Sequence, residues 1–207
     1  MKKKLTTLLL FSFVLIAAKA QTTNQIIAQE LVEKHKTTIG LTENDLQNII
    51  ISDSYLDKIS GVRLVYLQQS YLDLPVYNQI QVLGFKDDKV VSQSGGRIPS
   101  IDKKTKNVSS IPTITAQTAV LTALQDRKVS YSREPYVIGS EKNGRYIIFD
   151  NMDVSRENIT AELMWVPLND GKQLVLAWQI YIIPINTSDY WMVRVNASDK
   201  SIVSVNN

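Results

Sequence analysis

Residues 61–96, GVRLVYLQQSYLDLPVYNQIQVLGFKDDKVVSQSGG, leave this chain few folds to choose from. Val62 to Tyr71 is dense in β-branched, aromatic and aliphatic residues, as strands are. Leu72-Asp73-Leu74-Pro75 interrupts the run, because proline lacks a backbone donor and fixes φ. The pattern resumes from Val76 to Phe85. Strict alternation there puts Val76, Ile80 and Val82 on one face and Gln79 and Gln81 on the other. Lys86-Asp87-Asp88-Lys89 is a polar hairpin turn, Val90 and Val91 begin a third strand, and Gly95-Gly96 ends it. Three short strands joined by two turns predict an antiparallel meander with one buried face.

Gly61, a strand carrying the pair Gln68-Gln69, a tight turn, Pro75-Val76-Tyr77 and the close from Asp87 to Gly96 resemble the FTP domain. That is the fungalysin/thermolysin propeptide module. The resemblance covers roughly residues 40 to 98. It lies in strands and turns and contains no reactive motif.

Met1 to Ala20 reads as a secretory signal peptide. Lys2, Lys3 and Lys4 form the charged start, Leu8 to Ala17 the apolar core, and Ala18-Lys19-Ala20 a small-x-small cleavage site. The apolar core is shorter than the roughly 20 residues a spanning helix needs, and no later segment is long and apolar enough. Export therefore predicts an extracellular or periplasmic protein. Cleavage removes four of the 23 basic residues, Lys2, Lys3, Lys4 and Lys19. The remaining 19 face 20 acidic residues, a net charge of −1 with histidine neutral. The basic character of the whole sequence thus comes largely from the leader, and nothing points to nucleic acid. With no cysteine in the chain, a disulfide framework and a thiolate metal site are excluded. The core alone must hold the fold.

Asn24 to Lys36 has helical spacing, with Asn24 as cap and Ala28, Leu31, Val32 and His35 on one face. His35 is the only histidine and reads as a helix-flank residue, since a zinc site needs three or four ligands. Gly40 ends the helix. Thr42 then caps a short turn with Asp45 at its third position and Leu41 stapled to Leu46. Ile49-Ile50-Ile51 favours a strand.

From Gly95 to Thr113 the composition becomes polar, with Pro99, Asp102-Lys103-Lys104, Ser109-Ser110 and Pro112. A module boundary is expected near residue 110, after a first module at 21–110 and before a second at 111–207. Thr115 caps a helix whose Ala116, Ala119, Val120, Ala123 and Leu124 make a stripe suited to lying on a sheet. Strands follow: Tyr146 to Phe149; Ala161, Leu163 and Trp165 alternating with Glu162 and Met164; the hairpin signal Asn169-Asp170-Gly171-Lys172; then Leu174, Leu176, Trp178, Ile180 and Ile182 on one face. Trp191, Val193 and Val195 share a face of the next strand, Ala197 to Lys200 turns, and Ile202 to Val205 ends the sheet. The three tryptophans read as core. The expected fold is α+β: two small modules, each a helix packed on an antiparallel sheet, cystatin- or PepSY-like. The strands around Trp178 and Trp191 resemble the PepSY-like second half of fungalysin propeptides. They depart at the final hairpin, where Asn196 stands in place of an aspartate and Lys200 in place of a glycine.

Catalytic motifs are absent. There is no HExxH, GxSxG, P-loop or GxGxxG, and one histidine cannot serve a nucleophilic triad. The carboxylate pairs Asp87-Asp88 and Glu43 with Asp45 belong to turns and caps. The sequons at Asn107, Asn158, Asn186 and Asn196 read as chance in a leader of bacterial type. No catalytic, cofactor-binding or metal-ligating residue is expected, and no cofactor. The resemblance implies the exported pro-region of a fungalysin-like zinc metallopeptidase precursor. Such a region acts as intramolecular chaperone and inhibitor, and the catalytic domain is its partner in cis or in trans. The enzyme class would belong to that parent precursor. The alternative is a stand-alone secreted module that binds or inhibits a protease. An HExxH domain encoded in frame after codon 207 separates the two.

Overall fold

The structure, a computed structural model, describes residues 23–207. The expected signal peptide at 1–20 lies outside them. Helix α1 spans Thr23–His35 and buries Ala28 and Val32, one turn apart. Asn24 lies inside this helix and does not cap it; its Oδ1 accepts a 2.9 Å hydrogen bond from Arg63 Nη1. Gly40 adopts φ +72°, with Leu41 N–H bonded to Lys36 O at 2.8 Å and Gly40 N–H to Thr37 O at 3.2 Å. That left-handed closure is the reason for glycine there. Thr42 and Asp45 then form a reciprocal capping box on α2, Glu43–Gln47.

Four antiparallel strands follow: β1 Ile49–Leu56, β2 Arg63–Tyr71, β3 Leu74–Lys86 and β4 Lys89–Gly95. The meander forms as expected, with two differences. Strand β3 begins at Leu74, because the turn needs only Leu72 and Asp73, both at positive φ, and Pro75 is tolerated near the strand start. The expected face is also wrong beyond Val76. Ser70 pairs with Pro75 and Gln68 with Ile80, so two steps along β2 correspond to five along β3. The three extra residues make a bulge around Asn78, at φ +55°, and reverse the alternation. Gln81, Leu83 and Phe85 therefore point inward, while Ile80 is 39% exposed. At the far end, Gly95 has φ +77°, and a Cβ there would sit 2.1 Å from Ile80 O.

The connector contains a short helix, α3, Ile101–Lys104. Helix α4, Ala116–Asp126, is capped by Thr115 and buries all five expected residues. Six strands follow: β5 Val137–Glu141, β6 Tyr146–Phe149, β7 Ile159–Leu168, β8 Gln173–Ile182, β9 Trp191–Asn196 and β10 Ile202–Asn206. Strand β5 has no counterpart in the sequence reading, because its residues are mostly exposed and carry no alternation.

Both sheets are antiparallel within themselves. One parallel bridge, Val76 to Trp165, joins β3 to β7 and gives the order β1-β2-β3-β7-β8-β9-β10. Purely antiparallel pairing does not anticipate that bridge. Two main cores result. The first gathers Ala28, Val32, Ile39, Leu41, Val65, Leu67, Leu83 and Phe85 between α1 and the meander. The second packs α4 on β7, β8 and β9, and also takes in Leu74, Val76, Ile98 and Ile101. The architecture is α+β.

The second sheet is strongly curled. Met164, which alternates with the Ala161, Leu163 and Trp165 face, and Val166 are buried on the face turned away from α4. Tyr77 of β3 reaches Asn206 of β10, with Oη 3.3 Å from Oδ1. On a flat sheet four strand spacings would separate them by about 19 Å, further than the two side chains can span. Right-handed twist rolls the strands into a concave surface that buries its own second face.

Candidate interaction surface

The pair Gln68-Gln69 forms the joint between the sheets. Gln68 Nε2 donates to Val76 O at 2.6 Å, to Gln79 O at 3.2 Å and to Gln69 O at 3.1 Å. Two of these carbonyls lie in the β3 bulge, where ladder pairing lapses. A single carboxamide thus reaches acceptors on the bulged segment that β2 does not pair. Gln69 points the other way and is 6% exposed. Its Nε2 donates to Ile98 O at 2.9 Å and its Oε1 accepts from Ile98 N–H at 2.8 Å. The side chain behaves as one more peptide unit and pins the connector to β2. Neither role was legible from strand pattern alone, because both partners are backbone groups remote in sequence.

One face of the meander packs on α1. The other face presents cross-strand rows: Ile50, Gln68 and Ile80; Tyr66 and Val82; Tyr55 and Leu64. Ile50 is 44% exposed, and the Tyr55 and Tyr66 rings stack at 6.2 Å. The Tyr66 hydroxyl beside it, ahead of burial, raises the Tyr55 hydroxyl pKa. Apolar and aromatic residues on a half-exposed sheet face make a surface suited to a partner protein.

The expected helix-flank role of His35 fits its surroundings. Its ring lies 5.7 Å from Phe85, and Nε2 is 3.3 Å from Asp88 Oδ1. Lys34 also pairs with Asp88. Bonds from Lys34 first, and then from His35, hold the Asp88 carboxyl below the usual carboxylate range. Asp87 and Asp88 are the positive-φ residues of the hairpin turn. Asp45 closes the α2 cap and meets Arg97 at 3.1 Å. Among the described residues, no three His, Cys, Asp or Glu side chains converge as a metal site would require.

Trp165 and Trp178 are fully packed. Their indole N–H groups bond Tyr71 O at 2.9 Å and Ile114 O at 3.1 Å. Trp191 is half-buried at the edge of the same core. At the final hairpin, Lys200 has φ +68°, the conformation that favours glycine, and Asn196 Oδ1 accepts from Ser198 N–H at 2.9 Å.

Comparison with known families places the meander in a class. Residues 47–96 match the Fungalysin/Thermolysin Propeptide Motif. The chain is also 27% identical over 117 residues to Neutral protease B of Bacillus subtilis (strain 168). That match covers 56% of this chain and only 21% of the protease. Among solved structures, the YpeB C-terminal domain of Bacillus megaterium aligns at 12% identity and a TM-score of 0.39, covering 90% of this chain and 66% of that one. Among the described residues, no helix is long and apolar enough to cross a membrane.

Proposed function

We propose that this chain is the exported pro-region of a thermolysin-like zinc metallopeptidase of the fungalysin kind, acting as intramolecular chaperone and inhibitor of the catalytic domain. The observation that carries the proposal is the propeptide-motif match, which falls on the meander with the half-exposed apolar face. Inhibition by such a region needs a preorganised complementary surface and no reactive residue. The signal peptide at 1–20 takes the chain out of the cell, and the catalytic domain is its partner in cis or in trans. In this reading residues 21–110 form the FTP module and 111–207 a PepSY-like module, with both contributing to the contact. No residue of the chain serves as a catalyst or a ligand.

The experiment titrates the chain from Gln21 onward against the cognate mature peptidase and follows peptide hydrolysis. In parallel it refolds the denatured catalytic domain with and without the chain. An interface of standard size, roughly 1,600 Å², predicts sub-micromolar inhibition. Absence of both inhibition and assisted refolding at micromolar concentration overturns the proposal.

A further inference from the structure

We propose that the concave face of the second sheet holds a carboxylate-binding site, with the Nε/Nη2 edge of Arg194 as its receiving edge. Arg194 is fully buried on β9. Its Nη1 donates to Ser204 Oγ at 3.0 Å and to Asn206 Oδ1 at 2.6 Å. Its guanidinium carbon lies 3.4 Å from the centroid of the Tyr77 ring. The plane and one corner of the guanidinium are therefore fixed. Nε and Nη2 are buried and have no partner in the protein.

These two nitrogens carry the parallel N–H bonds that grip a carboxylate side-on. A buried cation is costly unless paired and hydrogen-bonded, and here no acid supplies the pair. The acid on the same cross-strand row, Glu162, lies two strands away and bonds Lys142 at 2.6 Å. Burial accordingly lowers the Arg194 pKa, with Tyr77 opposing. Gln179 stands directly opposite Arg194 on β8, and its Oε1 is also buried and unpartnered. A free donor edge and a free acceptor thus stand on directly opposed cross-strand residues. Together they fit a carboxylate that carries an N–H donor next to it, as an N-acyl amino acid or the C-terminal residue of a peptide does. Tyr77 closes over the site and is tied to Asn206 through its hydroxyl. Entry requires that phenol to swing aside.

The test follows the Arg194 Nε–H resonance of the full chain by NMR, assigned with Arg194→Lys. Titrants are acetate, N-acetylglycine, chloride, and a short peptide either as free acid or as C-terminal amide. Acetate and N-acetylglycine should shift this resonance saturably, with N-acetylglycine at least about tenfold tighter, the equivalent of one added hydrogen bond of about 1.4 kcal/mol. Chloride and the peptide amide should not shift it. Tyr77→Phe keeps the stack and loses the tie to Asn206, so it should speed entry on an otherwise intact site. Saturation by the free-acid peptide as well assigns the site to a chain terminus; saturation by N-acetylglycine alone assigns it to a small acid. Either result supports the site. No saturable shift with a visible resonance, or an equal shift with chloride, overturns it. If Arg194→Lys does not fold, selective ¹⁵N-arginine labelling with Tyr77→Leu identifies the resonance, because loss of the ring removes its ring-current shift.

Discussion

Gln69 and Ile98 are 29 residues apart and bonded as two strand residues would be, through both the N–H and the C=O of Ile98. Both residues are buried. Gln69→Leu keeps approximate volume and strands these two backbone groups. Each unsatisfied buried group costs about 1–3 kcal/mol, so the variant should lose roughly 2–6 kcal/mol. Urea unfolding measures it, and a loss under about 1 kcal/mol would show that water replaces the side chain without cost.

Trp178 fills the second core and bonds Ile114 O. Trp178→Ala should cost roughly 3–5 kcal/mol, the usual large-to-small range. Trp178→Phe retains much of the packing but orphans the carbonyl, so it should cost about 1–3 kcal/mol. Equal losses in the two variants would assign the whole effect to the orphaned Ile114 carbonyl.

Lys200 stands at φ +68° in the last hairpin. A side chain in the left-handed region costs about 1–2 kcal/mol relative to its preferred conformations. Glycine avoids that cost but loses more chain entropy on folding. Lys200→Gly should therefore be net stabilising by about 0.5–1 kcal/mol, read as a rise in the urea midpoint at unchanged slope. A lower midpoint would show that the lysine side chain contributes more than its backbone costs.

The Ser60 hydroxyl first, and then the backbone N–H of Ile59, lower the Asp57 pKa. A carboxyl depressed in the folded state contributes stability above its unfolded pKa of about 3.9 and loses it as pH falls through the folded value. Acid should thus weaken the protein below about pH 4. Asp57→Asn should remove part of that slope and leave the slope above pH 5 unchanged. Urea midpoints from pH 2 to 6 check this; identical acid limbs in the two proteins would contradict it.

Local signals carried much of the fold. The Thr42 and Thr115 caps, the α4 stripe and the turns at 87–88 and 169–171 all depend on neighbours in sequence. The reversal in β3 did not show, because it depends on Gln68 filling a bulge from the next strand. The burial of Met164 and Val166 depends on sheet curl, a property of the whole assembly. Arg194 was invisible for the same reason: its place in the alternation of β9 reads as solvent-facing until the sheet rolls over it.

The pro-region proposal makes a demand on the half-exposed face of the meander. Ile50 and Ile80 lie on one row, flanking Gln68, and both side chains are more than a third exposed. Glutamate at either position stays solvated in the free protein, so unfolding stability should change by no more than about 0.5 kcal/mol. In a complex that buries this face, the same charge loses its water without gaining a partner. Ile50→Glu and Ile80→Glu should each weaken inhibition of the cognate peptidase by at least about tenfold, mainly through faster dissociation. Val91→Glu, on the exposed edge strand β4, is the control and should change it little. Unchanged inhibition by both variants, with the fold intact, would move the contact to another surface.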